Sequence, residues 1–78
     1  MSVQAYILIQ TDVGKSESVT KAATAMSGVT LAEAVTGPYD VIVRAEARNI
    51  DELGATVVSK VQAIDGITRT LTCPVIHI

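Results

Sequence analysis

One short stretch gathers the side chains best suited to hold a small molecule. Thr36, Tyr39 and Asp40 offer a hydroxyl, a phenol and a carboxylate, and they flank Gly37-Pro38. Glycine tolerates φ > 0 and bares its backbone. Proline fixes its own φ and excludes the helical region for its predecessor. A carboxylate beside an approachable backbone is binding chemistry: it accepts from a ligand's donors while the main chain bonds the rest. The same residue types also serve a hairpin that merely has to turn. The remainder of the chain must decide between the two.

Catalytic chemistry is poorly served. The chain has one histidine, His77, beside the C-terminus, and Asp40 has no obvious titrating mate. No arginine- or glycine-rich phosphate cradle is present, so no catalytic residue is assigned. His77 has no partner for a zinc site, and neither a metal nor a cofactor is expected. The single cysteine, Cys73, permits no intramolecular disulfide and reads as a small buried hydrophobe in an apolar strand.

The elements that must position the turn follow from the pattern. Val3–Gln10 reads as a strand, with Val3, Ala5, Ile7 and Ile9 on one face and Tyr6 and Leu8 on the other. Lys15–Ser27 reads as a helix with an apolar stripe at Val19, Ala22, Ala23 and Met26, closed by Gly28. Val29–Thr36 is a second strand running into the turn, and Asp40–Ala47 a third running out of it. Asn49–Ile64 is a second helix, capped by Asn49 with Glu52 three residues on, as in a capping box. Its core stripe is Ile50, Leu53, Val57, Val58, Val61 and Ile64, and Gly66 closes it. Ile67–Ile76 is the last strand, with Thr68, Thr70 and Thr72 on one face; Pro74 marks it as an edge or ends its pairing.

The order is βαββαβ, and the halves rhyme: Ser27-Gly28-Val29-Thr30 follows one helix and Asp65-Gly66-Ile67-Thr68 the other. Two split βαβ units predict a single α+β domain over residues 1–78. Its expected form is a ferredoxin-like sandwich of four antiparallel strands with both helices on one face. The uncovered face would carry Tyr6, Leu8 and Ile42.

Composition adds the partners. The 78 residues are 49% hydrophobic and only 18% charged. A domain this small buries roughly 60% of its unfolded surface. The apolar surplus therefore predicts a homo-oligomer, built through the uncovered sheet face. The net charge is −2, and Lys15, Lys21, Arg44, Arg48, Lys60 and Arg69 are scattered. That argues against direct DNA binding. No stretch approaches the roughly 20 apolar residues of a membrane span, and no secretory leader is evident, so a cytoplasmic location is expected.

Two motifs in their elements carry a resemblance. Val35-Thr36-Gly37-Pro38-Tyr39-Asp40 lies between strands two and three, and Gly66-Ile67-Thr68-Arg69-Thr70-Leu71-Thr72 opens the last strand. Together, over essentially the whole chain, they resemble the ligand-binding (RAM) domain of Lrp/AsnC-type regulators. The resemblance implies dimers formed sheet to sheet, assembling further, with a small effector, usually an amino acid, bound at a subunit contact. It implies that Gly37 offers backbone groups, Tyr39 lines the pocket and Asp40 accepts from the ligand's ammonium. Thr70 and Thr72 would bond the carboxylate or side chain, with Thr36 and Thr68 as weaker candidates. Only Met1 and Ser2 precede the first strand, so the stand-alone form without a helix-turn-helix is expected, acting with full-length Lrp/AsnC-type regulators. Pro38 departs from the family pattern by stiffening the turn. A ligand-free assembly module, and a small ferredoxin-like enzyme, are the competing readings.

Overall fold

Alternation in β1 (Val3–Thr11) builds the centre of the molecule. Ala5, Ile7 and Ile9 are fully buried, while Gln4, Tyr6, Leu8 and Gln10 point the other way. In the computed structural model residues 2–77 are described; Met1 and Ile78, the ends of the expected 1–78 domain, lie outside them. After β1 come α1 (Ser16–Thr24), β2 (Val29–Ala34) and β3 (Val41–Ala47). A continuous helix α2 (residues 50–62) and β4 (Ile67–Pro74) complete the chain.

The four strands form one antiparallel sheet in the order β2-β3-β1-β4. With two helices this is the expected ferredoxin-like α+β arrangement. The central strands β1 and β3 hold the core. Ile7, Ile9, Val41 and Val43 pack with Val19 of α1 and Leu53 and Val61 of α2, and among the described residues no polar or charged one is buried with them. Small Ala5, Ala23, Ala45 and Ala47 let the helices lie close to the sheet.

The second helix departs from its expected form. Asn49 caps it as predicted, its side-chain oxygen accepting from the Glu52 N–H at 2.8 Å. The reciprocal half of a capping box is absent, because the Glu52 carboxylate pairs with Arg48 at 2.9 Å. Leu53–Val58 is wound as a π-helix, so the Ser59 N–H reaches the Gly54 carbonyl. The buried stripe is Leu53, Val57 and Val61. Ile50, expected within it, lies off that line and is 55% exposed.

The rhyme between the halves has a structural meaning. Each helix is followed by the same turn into a strand, with Gly28 and Gly66 at equivalent points. Neither is the residue that ends its helix; the caps are Ala25 and Ala63. Gly28 has φ +92°, and a Cβ there would meet Val57 Cγ2 at 2.7 Å. Its carbonyl accepts from the Glu46 N–H at 2.7 Å, which ties the turn to β3. Only glycine fits both the conformation and the space.

Among the described residues nothing covers the sheet's other face. Register places Gln4, Tyr6, Leu8 and Gln10 beside Ile42, Arg44 and Glu46, with Leu31 and Glu33 on β2 and Arg69, Leu71 and Cys73 on β4. Tyr6, Leu31 and Leu71 stand between 42% and 47% exposed. Cys73 is a correction to the sequence reading: it is exposed, not buried, because an edge strand's open side meets nothing in the same chain.

Candidate functional site at the β2–β3 turn

The turn between β2 and β3 is held by the end of β1. The Asp40 N–H donates to the Ile9 carbonyl at 2.8 Å, and the Val35 N–H donates to the Asp40 carbonyl at 2.9 Å. The Thr11 N–H then donates to Asp40 Oδ2 at 2.8 Å, so a side chain takes over where the backbone ladder would continue. Gln10 Nε2 donates to the Pro38 carbonyl at 3.0 Å. Pro38 and this tether together stiffen the loop. Gly37 adopts φ +123° in open space, with nothing within 4 Å of where a Cβ would stand. Its backbone is bare on that side.

Thr36, Gly37, Tyr39 and Asp40 are therefore brought into one turn. Thr36 and Gly37 are exposed, and Tyr39 and Asp40 are half-buried. Asp40 is held by one carboxylate oxygen. Among the described residues its Oδ1 has no donor, and neither Thr36 nor Tyr39 makes a side-chain hydrogen bond. The carboxylate thus has a structural duty and a spare acceptor at once.

Thr70 and Thr72 stand elsewhere. They pair with Ile9 and Ile7, so they share the helix-covered side of the sheet. Thr70 lies in the row Val41–Ile9–Thr70, two strands and about 10 Å from Val41. Its Oγ1 accepts from Gln62 Nε2 of α2 at 3.0 Å. Thr72 is one row further along, beyond Ile7. Neither hydroxyl is hydrogen-bonded to Asp40, whose carboxylate is held by Thr11.

Two participants escaped the sequence reading: Gln10 and the backbone of Thr11. Gln10 looked like the polar end of an apolar strand. A polar residue directly across the sheet from a turn is the only signal, and it needs the register to be read. Among the described residues no group of three or more His, Cys, Asp or Glu side chains converges to hold a metal. No helix there is long and apolar enough to cross a membrane. Within the described residues the single chain encloses no pocket.

A four-stranded antiparallel sheet backed by two helices, with a tethered turn at one end, makes this a ferredoxin-like α+β domain. The family model described as the Lrp/AsnC ligand binding domain matches residues 4–78, and the chain belongs to that family. Solved structures agree. FFRP-DM1 is 34% identical with a TM-score of 0.88, over 95% of this chain and 99% of that one. A hypothetical protein from Pyrococcus horikoshii, PHS023, is 33% identical with a TM-score of 0.87, over 96% and 90%. AsnC of E. coli is 29% identical with a TM-score of 0.86, over 96% of this chain but 51% of that one. The chain thus spans about half of that regulator and nearly all of the other two. No curated protein matches the sequence at a significant level.

Proposed function

We propose that this chain is an effector-binding and oligomerisation domain that takes a free amino acid at the β2–β3 turn, at a contact between subunits. The observation that carries the reading is the state of Asp40. Thr11, Ile9 and Gln10 fix the turn, yet one carboxylate oxygen is left without a donor. A ligand ammonium is its natural complement, and a charge-assisted bond there is the strongest single contact available. Gly37 supplies backbone groups and Tyr39 a wall, with Thr36 at the rim.

In one chain neither Thr70 nor Thr72 bonds to the turn; the Thr70 hydroxyl is engaged with Gln62. In this reading they contribute from a neighbouring copy, which supplies the missing walls of the site. Occupancy is then linked to assembly, because a ligand held by two chains favours the associated state. Assembly itself uses the uncovered sheet face, where Tyr6, Leu31 and Leu71 are exposed around Leu8 and Ile42. Dimers formed there associate further. Through such contacts the domain modulates full-length Lrp/AsnC-type regulators in the cytoplasm.

A thermal-shift panel of free amino acids tests this, with Asp40→Asn run alongside. A ligand at 100 times its dissociation constant adds about 2.7 kcal/mol of stability. In so small a domain that is a shift of roughly 10 °C or more. One or a few amino acids stabilising the wild type, and not the variant, is the expected result. No shift with any of them would favour the ligand-free assembly module, for which the exposed apolar face is the supporting observation.

A further inference from the structure

We infer that Arg44 is the charge that fixes the pairing of two copies through the open face, and that its counter-ion is a glutamate of the second copy. This rests on the proposal that two copies associate by that face. Arg44 stands on β3, directly across from Tyr6 of β1. Its guanidinium carbon lies 5.9 Å from the centre of the Tyr6 ring, and its Nη2 donates to Gln4 Oε1 at 2.9 Å. The side chain thus lies flat over the middle of the sheet, reaching toward β1 and away from β2.

Its Nε is shielded from water and has no acceptor, and it is the one buried side-chain polar atom so placed among the described residues. The cation as a whole is only half-buried, and covering its open N–H groups with a second apolar sheet is costly unless a counter-charge meets them. A counter-charge must then come from somewhere. Two carboxylates share this face, Glu46 on the same strand and Glu33 on β2. The ion pairs among the described residues are Lys21–Glu17 and Arg48–Glu52, so neither glutamate is paired with another described residue. Arg69 on β4 completes the set.

The face therefore carries two cations and two anions, none of them in an ion pair among the described residues of one copy. Such a surface is complementary to itself: a two-fold axis lets each Arg44 meet a carboxylate of the other chain twice over. The guanidinium donates within its own plane, so Nη1, which has no partner among the described residues of one copy and is not buried, is the donor for a carboxylate arriving along its edge. Apolar contact by Tyr6, Leu8, Leu31, Ile42 and Leu71 supplies the area, and the charges select one register.

Sedimentation equilibrium on charge-swapped chains tests the pairing. Arg44→Glu should weaken dimerisation on the order of 100-fold or more, as when one partner of a buried pair is reversed. Arg44→Gln, which keeps much of the volume, should weaken it less. Either Glu46→Arg or Glu33→Arg should weaken it comparably, and mixing that variant with Arg44→Glu should restore a heterodimer in which both pairs have opposite signs. Far-UV circular dichroism checks that each variant is folded. Dimers of Arg44→Glu and Arg44→Gln as tight as wild type would overturn the role of Arg44 while leaving face-to-face association standing. So would failure of both mixtures to form heterodimers. A wild type that stays monomeric at all concentrations would instead remove the association on which the pairing rests.

Discussion

Removing the Asp40 carboxylate separates its two duties. Asp40→Ala keeps the backbone bonds to Ile9 and Val35 but loses the acceptor of the Thr11 N–H. A hydrogen bond to a charged group contributes about 1.5–3 kcal/mol when removal leaves its partner unsatisfied. The site is only part-buried, so water replaces some of that loss, and about 1–2 kcal/mol is the expected cost. For a domain of this size each kcal/mol lowers the melting temperature by about 4–8 °C. Asp40→Asn retains an oxygen that can accept from Thr11 and should cost less than about 1 kcal/mol. The assay is urea unfolding followed by far-UV circular dichroism, since the chain has no tryptophan. Protein concentration must be held fixed, because association shifts apparent stability. Equal midpoints for Asp40→Ala and wild type would refute the reasoning, because the carboxylate would then not be holding the turn.

Two glycine substitutions probe the frame behind the site, with opposite signs. Gly28→Ala forces a side chain into φ +92° and against Val57 and the Glu46 carbonyl; a loss of about 2–4 kcal/mol is expected in the same urea assay. Gly54→Ala lies in helix α2 where an added Cβ meets nothing within 4 Å, and a gain of about 0.5–1 kcal/mol is expected from helix propensity, read as a higher melting temperature.

Much of the fold is legible in the sequence because its signals are local. Alternation in Val3–Gln10 and Asp40–Ala47, and the Asn49 cap, each follow from neighbours in the chain, and each stands in the structure. What is misread depends on partners distant in sequence. Strict alternation puts Ile67 with Leu71 and Cys73. A register shift between Gln10 and Thr11 pairs Thr11 with Ile67 and turns that side chain toward the core. The stripe of α2 loses Ile50 because that residue opens the helix, one turn ahead of Leu53, where contact with the core begins. Cys73 looks buried until the sheet order makes β4 an edge. At the site, Gly37 and Asp40 are visible as a turn, but the tethers from Gln10 and Thr11 require the β1–β3 pairing. That Thr70 and Thr72 stand across β1 from β3 likewise appears only once register is known.

The central claim is that the β2–β3 turn receives an amino acid. The most direct measurement is a map of backbone amide shifts in ¹⁵N-labelled protein, titrated with whichever amino acid stabilises it most in the thermal panel. Saturable shifts concentrated at Gln10, Thr11, Thr36, Gly37, Tyr39 and Asp40, with a second group at Thr70 and Thr72 from the neighbouring copy, are the predicted result. Shifts confined to the helices or to the far end of the sheet would contradict the claim, as would no saturable shift at any amide.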